Sequence, residues 1–179
     1  MTILFPYLGI YALNELGASQ NELAVTFVAS ATLAAAGGYT AGHLSDRIGR
    51  RRVLLFGWVC IGTVPLGLAF VGHHVLIGLA LIAAYSASGS LGDSAGQALI
   101  ADLVPPEKQA LAYASDRVAE NLGVCFGPPF GALLLLTHDW RVPFLTVVAL
   151  VVCVFVIAHR LIPARGSYAP KEGTPRPPS

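Results

Sequence analysis

The turn between the second and third apolar segments of the chain reads GHLSDRIGRRR, residues 42–52. Three arginines, Arg50–Arg52, stand where the third segment begins, although a helix dipole disfavours exposed cations at that end by ~0.3–1 kcal/mol each. Asp46 has the sign that a helix start prefers, and Gly42 and Gly49 permit the backbone angles that so short a connection needs. With the neighbouring Arg47, this pattern indicates a charge latch, and a plain topological anchor is the simpler alternative.

The composition around this turn is that of a membrane protein. Of the 179 residues, 55% are hydrophobic and 12% are charged, against about 25% charged in a soluble domain. These values exclude a water-soluble globule, a disordered chain and a disulfide-rich secreted module. The net charge is +1 and the basic residues are clustered, so no nucleic-acid partner is expected. Cys60, Cys125 and Cys153 lie in apolar stretches without C-x-x-C spacing, which favours small buried side chains over a metal or redox site.

Five apolar segments are long enough to cross the ~30 Å hydrocarbon layer as helices. They cover roughly residues 23–44, 53–72, 75–101, 111–136 and 142–162, and a shorter segment at roughly 2–14 reads as a first helix that has lost its beginning. No segment shows the period-two alternation of a barrel, so we predict an all-α membrane domain of six helices over residues 1–162. Residues 163–179 are rich in proline and predict a flexible cytoplasmic linker or tail.

The distribution of lysine and arginine predicts the orientation in the membrane. Basic residues lie in the loop at 47–52, at Lys108 and after residue 159, whereas the alternate loops hold mainly acids and histidines. This bias places both termini in the cytoplasm. The chain is then a multi-pass protein of the cell membrane, with the lipid bilayer as its surroundings.

The turn at residues 42–52, which we call the arginine turn, resembles the G-x-L-x-D-R-x-G-R-R loop of the major facilitator superfamily. It matches that motif at Gly42, Leu44, Asp46, Arg47, Gly49, Arg50 and Arg51. Asp102-Leu103-Val104-Pro105 after the fourth segment and Trp140-Arg141 at the start of the sixth extend the likeness along the chain. The resemblance covers the first six of the family's usual twelve helices. It implies two inverted three-helix repeats, transport by alternating access, and loop charges that make state-dependent contacts.

The fifth segment carries a second similarity. Gly123, Gly127 and Gly131 recur at four-residue steps, a spacing that lets helix backbones approach closely in lipid. Pro128 and Pro129 remove two backbone donors, so two carbonyls lose their helical partners. The stretch resembles the Gly-Pro motif of the drug:proton antiporters in this superfamily, which implies a helix that bends or packs closely. A packing seam with a static kink is the alternative.

Ionisable side chains inside the membrane cost ~2.5–3.5 kcal/mol each on insertion scales and are functional candidates by default. When the fourth and fifth segments pair antiparallel about Pro106, Asp93 and Glu120 lie at nearly equal depth and Arg117 lies one turn from Glu120. We predict an Asp93–Arg117–Glu120 cluster in which one acid exchanges its ion pair for a proton. A fixed ion-pair network is the alternative. Tyr85 stands where the antiporter pattern R-x-x-Q-G has its arginine, which leaves the route of coupling open.

The stretch Gly92–Gly96 satisfies G-x-S-x-G, but a nucleophile elbow needs a strand-to-helix turn and a nearby histidine. Its small residues favour a helix contact, and no enzyme activity, metal or cofactor is expected. The resemblance implies secondary transport of a small molecule, as an antiporter for multidrug efflux driven by a proton gradient. An inactive half-transporter and metabolite uptake or facilitated diffusion are the alternatives. A missing carboxy-terminal six-helix half or a second copy would complete the substrate cavity.

Overall fold

The structure is a computed structural model that describes residues 3–162. Within this range the regular elements are six α-helices: α1 Phe5–Asn14, α2 Gln20–Ile48, α3 Arg50–Phe70, α4 Val75–Leu103, α5 Pro106–Leu135 and α6 Arg141–Leu161. The helices α2 to α6 are long and apolar enough to cross a membrane. The predicted all-α membrane fold of six helices is therefore confirmed. The predicted tail, residues 163–179, lies outside the described residues.

Local sequence signals set the ends of the helices. Ser19 caps α2: its Oγ accepts a hydrogen bond from the Glu22 backbone N–H at 3.2 Å, and the Glu22 carboxylate accepts one from the Ser19 N–H at 2.7 Å. Pro106 begins α5 at a position where a helix has no use for the missing N–H. Because these signals lie ahead of the apolar residues, α2 and α5 begin a few residues before the predicted spans.

A single glycine makes the turn between α2 and α3. Gly49 has a φ of 96°, a left-handed conformation that residues with a Cβ rarely adopt. Because α2 ends at Ile48 and α3 begins at Arg50, the arginines open the third helix as predicted. The turn conformation predicted for Gly42 is wrong, since this residue lies inside α2, more than one helical turn before its end.

The centre of the bundle is α4, and small residues let its neighbours approach it closely. A Cβ added at Gly37 of α2 would lie 2.9 Å from the Ala87 carbonyl oxygen. A Cβ added at Gly57 of α3 would lie 2.9 Å from the Gly92 backbone nitrogen. In lipid the hydrophobic effect does not drive helices together, so close backbone packing of this kind supplies the association.

The G-x-S-x-G stretch lies in one of these contacts. Gly92–Gly96 is helical and lies in the second half of α4, and the described residues 3–162 contain no strand that could form an elbow. Gly92 is the residue of α4 that meets Gly57. The predicted helix contact is confirmed.

An aromatic cluster ties α1, α3 and α6 together at the end of the bundle opposite the arginine turn. The Tyr11 hydroxyl donates to the Leu68 carbonyl at 3.0 Å, and its ring packs edge-on against Phe144 with a centroid distance of 4.9 Å. Trp140 packs on the same tyrosine, and its Nε1 donates to the Glu15 carboxylate at 2.9 Å. These contacts fix α1 on the bundle although its ten residues form only about 15 Å of helix.

The prediction that the cysteines are buried is wrong. Cys125 and Cys153 are exposed and Cys60 is half-buried. An apolar side chain exposed on a membrane-spanning helix can face hydrocarbon, and hydrocarbon is as apolar as a protein core. An apolar side chain in a transmembrane helix therefore has no need to point inward.

We expect Gly37→Ala to lower the thermal stability of the detergent-purified protein and Gly38→Ala to leave it unchanged or raise it. At position 37 the methyl group meets a backbone carbonyl that cannot move aside, and such overpacking costs ~1–3 kcal/mol. At position 38 the methyl group makes an ordinary contact of 3.5 Å with the Ser94 Oγ, and alanine favours the helix. Intrinsic fluorescence in a thermal ramp measures both midpoints. Equal midpoints would contradict the close approach of α2 and α4.

The orientation predicted from the basic residues is testable with two exposed positions at opposite ends of the bundle. In a background without native cysteines, Glu107→Cys beside the α4–α5 turn should react with an impermeant maleimide only in opened membranes. His73→Cys in the α3–α4 turn should react in intact cells. Gel-shift labelling distinguishes the two states, and the opposite pattern would invert the orientation.

Candidate functional site

Arginine side chains join the start of α3 to the ends of α4 and α6. The Arg50 Nη1 lies 2.6 Å from the Asp102 Oδ1 and also donates to the Ala98 carbonyl. The Arg51 Nη2 donates to the His159 carbonyl in the last turn of α6 at 2.9 Å. Guanidinium groups that the dipole of α3 disfavours thus face the negative ends of two other helices. We call Arg50, Arg51 and these three partners the arginine latch.

The acid of this latch differs from the one that the sequence indicated. Asp46 and Arg47 are exposed, and neither forms an ion pair within the described residues 3–162. Arg50 pairs with Asp102 because α3 packs along α4, which brings its first residue to the last turn of α4. Asp46 belongs to the last turn of α2 and is not part of this contact. State-dependent contacts of Asp46 and Arg47 stay a prediction.

Two side chains of α5 cap the end of α4. The Gln109 Nε2 donates to the Ala101 and Val104 carbonyls at 3.1 and 3.2 Å, and the Tyr113 hydroxyl donates to the Gln97 carbonyl at 3.2 Å. The Gln109 bonds occupy carbonyls that lack a helical donor at the helix end. Sequence reasoning missed both residues. The available signal was a polar side chain in the first turn of α5, because the connection from α4 is short enough for it to reach the carbonyls at the end of α4.

The glycines of the predicted α5 seam are half-buried or buried: Gly123, Gly127 and Gly131. At the last of these, an added Cβ would lie 2.7 Å from a Tyr7 ring carbon and 2.8 Å from the Ile3 carbonyl oxygen. The Tyr7 hydroxyl donates to the Pro128 carbonyl at 2.6 Å. The helix α5 continues without a break through Pro128 and Pro129. The contacts with Tyr7 of α1 and with Ile3, which precedes α1, place this motif in a packing contact. Bending at the prolines stays a prediction.

The predicted charge cluster is only partly brought together. The Arg117 Nη1 lies 2.6 Å from the Glu120 Oε2, and both side chains are substantially exposed, at 63% and 43%. Asp93 of α4 forms no ion pair with Arg117. Asp93, Asp116 and Glu120 instead line a cavity of about 450 Å³ between α3, α4, α5 and α6, which we call the acidic cavity. Arg117 lies outside its lining.

Sequence reasoning placed Asp93 and Glu120 together but left Asp116, Trp58 and Tyr85 out of the predicted cluster. Asp116 and Glu120 are four residues apart, a spacing that puts both carboxylates on one face of α5 and was the available signal. Trp58 and Tyr85 add aromatic rings to the lining, and Tyr85 is only 1% exposed. Apolar helices give little indication of which residues face inward, so these two were not predicted.

The helices of this bundle are apolar enough to cross a membrane, yet three carboxylates line an open cavity between them, and ionisable groups within the membrane cost free energy. This combination is typical of membrane transport proteins. The family model described as Major Facilitator Superfamily matches residues 1–178. The chain belongs to this superfamily, and its six helices form the amino-terminal half of the fold, as predicted.

Curated relatives carry the names of several kinds of transporter. The chain is 29% identical to a "Na(+), Li(+), K(+)/H(+) antiporter" of Planococcus maritimus, over 78% of this chain and 33% of that protein. It is 31% identical to an "Inner membrane metabolite transport protein" of Escherichia coli, over 84% and 37%. It is 29% identical to a "Chloramphenicol resistance protein" of Pseudomonas aeruginosa, over 73% and 31%. The chain thus spans about a third of the length of these relatives.

A double-mutant cycle tests the arginine latch. We expect Arg50→Ala and Asp102→Ala each to lower the free energy of unfolding. The loss in the double variant should be smaller than the sum of the two single losses by up to about 1 kcal/mol. The coupling is small because the two side chains are 29% and 46% exposed and solvent screens the charges. Asp46→Ala is the matched control and should change stability by less than about 0.5 kcal/mol. Additive losses in the cycle would show that the two residues do not interact.

Proposed function

We propose that the chain is one half of a secondary transporter that exports a small molecule in exchange for protons. The observation that carries this proposal is the acidic cavity, where Asp93, Asp116 and Glu120 share one space between four helices. Carboxylates within a membrane-spanning helix cost free energy, so they are expected to have a function. Binding and release of a proton is a function that a carboxylate can perform there. Proton exchange is the simplest chemistry that these side chains perform.

The arrangement of the charges supports coupling between a proton and a solute. Three carboxylates around one cavity repel one another, so a proton shared among them relieves the repulsion. The guanidinium of Arg117 already holds Glu120, which leaves Asp93 and Asp116 without an ion-pair partner among the described residues. A solute that interacts with these two carboxylates competes with the proton. Competition of this kind is the basis of exchange.

The arginine latch supports alternating access at the end of the bundle that we assign to the cytoplasm. Its ion pair is partly exposed, and pairs of this kind contribute at most about 1 kcal/mol, so the latch breaks at small cost. The buried Ser45 Oγ and Arg51 Nε have no hydrogen-bond partner within the described residues. Buried polar atoms normally have partners, which favours a second arrangement that supplies them. Asp46 and Arg47 are the exposed residues next to this region.

The names of the relatives support two candidate directions of transport. The antiporter of Planococcus maritimus and the chloramphenicol resistance protein favour ion exchange and export. The metabolite transport protein of Escherichia coli favours a second candidate, uptake or facilitated diffusion of a metabolite. We propose further that transport requires a second six-helix half, supplied by a carboxy-terminal half or by a second copy of the chain. Without it, the chain would insert in the membrane as an inactive half.

Everted vesicles with an acidic lumen and a pH-sensitive dye test the export proposal. We expect addition of a substrate from a panel that includes chloramphenicol to release lumenal protons. Asp93→Asn and Glu120→Gln should each reduce this release at least tenfold, because each removes a carboxylate of the acidic cavity. Glu107→Gln changes an exposed acid at the start of α5 and is the matched control, for which release should be unchanged.

Each other outcome of this assay contradicts a separate part of the proposal. Unchanged release in Asp93→Asn and Glu120→Gln would remove these acids from proton coupling. Substrate accumulation driven by protons that move in the same direction would favour uptake. Absence of release from vesicles in which the chain is correctly inserted would identify an inactive half.

A further inference from the structure

Three arginines at the adjoining ends of α3 and α6 have no ion-pair partner among the described residues 3–162. Arg51 and Arg52 lie in the first turn of α3, and Arg160 lies in the last turn of α6. The Arg51 guanidinium donates to the His159 carbonyl at 2.9 Å, so the backbones that carry the three arginines come together at one place. We call Arg51, Arg52 and Arg160 the basic patch.

The acidic side chains near this end of the bundle do not neutralise the basic patch. Neither α3 nor α6 contains an aspartate or a glutamate. Asp102 at the end of α4 pairs with Arg50, and Asp46 and Glu107 are exposed and form no ion pair among the described residues. Residues 163–179 hold one glutamate against two arginines and one lysine, so they add positive charge. A negative charge for the patch is therefore expected from a molecule outside the chain.

The start of α3 has a positive potential of its own. The amino-terminal end of a helix carries about half a positive charge, and the first N–H groups there lack helical acceptors. No side chain of the described residues caps this end, and the first turn of α3 contains no acid. The arginines of this turn and the helix dipole repel each other, whereas both attract an anion. The basic patch and the helix end therefore favour the same ligand charge.

An apolar surface continues from the basic patch toward the middle of each helix. Phe56 and Val59 follow Arg52 at steps of four and three residues, so the three side chains lie on one face of α3, and all three are exposed. Val156 lies one turn before Arg160 on α6 and is exposed as well. Charged groups at the end of an exposed apolar surface match the headgroup and the acyl chains of a phospholipid.

We propose that the basic patch binds the phosphate of an anionic phospholipid, whose acyl chains lie along the exposed apolar faces of α3 and α6. None of the three arginines lines the acidic cavity, so this site is separate from the proposed exchange of protons and does not depend on it. A zwitterionic lipid has no net charge to offset the arginines. A bound anionic lipid joins the ends of α3 and α6, as the contact between Arg51 and His159 does.

Native mass spectrometry of the delipidated, detergent-purified full chain tests this site. We expect dioleoylphosphatidylglycerol to bind saturably, and dioleoylphosphatidylcholine to bind at least about tenfold more weakly. Arg52→Gln and Arg160→Gln should each raise the Kd for phosphatidylglycerol about fivefold, the contribution expected of one arginine at a membrane surface. Neither side chain forms a hydrogen bond or ion pair within residues 3–162, so both variants should keep the fold. Lys108→Gln removes the same charge from an exposed position on α5 and is the matched control, for which the Kd should be unchanged.

Thermal unfolding of the unchanged chain gives a second readout, which needs no variant. Phosphatidylglycerol should raise the midpoint, because a ligand that binds only the folded protein stabilises it. Phosphatidylcholine at the same concentration should leave the midpoint unchanged.

Four results would overturn the assignment. Equal binding and equal stabilisation by phosphatidylcholine would show a nonspecific lipid shell. An unchanged Kd in both arginine variants would place the lipid elsewhere. An equal rise of the Kd in Lys108→Gln would show that the net charge of the chain attracts the lipid, and not the basic patch. Displacement of the lipid by glycerol phosphate, which has no acyl chain, would assign the patch to a soluble phosphate.

Discussion

Close backbone contact at small residues is the constraint on which the rest of the structure depends. In lipid, helices gain little from hiding apolar surface, so α4 is held where glycine lets a neighbouring backbone touch it. The contact of Gly57 with Gly92 fixes α4 against α3, and Asp93 is the next residue of the chain. The same contact therefore positions a carboxylate in the acidic cavity. Two and a half turns further along α4, Asp102 reaches Arg50.

The two ends of the bundle are held by different kinds of interaction. The arginine latch consists of partly exposed charges and hydrogen bonds to the ends of α4 and α6. The opposite end is held by the buried aromatic rings of Tyr11 and Phe144, which are 5% and 1% exposed. Screened charges separate at small cost, whereas a buried aromatic pair loses its packing. This asymmetry favours movement at the latch, with the aromatic end as the fixed point.

The attachment of α5 explains why the acidic cavity exists. Gly127 and Gly131 are its buried residues, and Gln109 and Tyr113 hold its first turns to the end of α4. Between these attachments, Asp116 and Glu120 face an open space instead of another helix. The proposed exchange of protons and a small molecule takes place in this gap.

The sequence by itself determined the membrane class, the six helices, the need for a glycine at Gly49 and the helix contact at Gly92–Gly96. These features are local: they follow from apolar length, capping residues and backbone angles. Only the tertiary structure decided that Arg50 pairs with Asp102 instead of Asp46, and that Asp116 joins the cavity while Arg117 stays outside. Such partners depend on how each helix is rotated about its axis. Successive residues lie about 100° apart around a helix, so neighbours in the sequence face different partners. Helices in lipid are apolar on their outer faces as well, so the hydrophobic pattern that reveals this rotation in soluble proteins is missing.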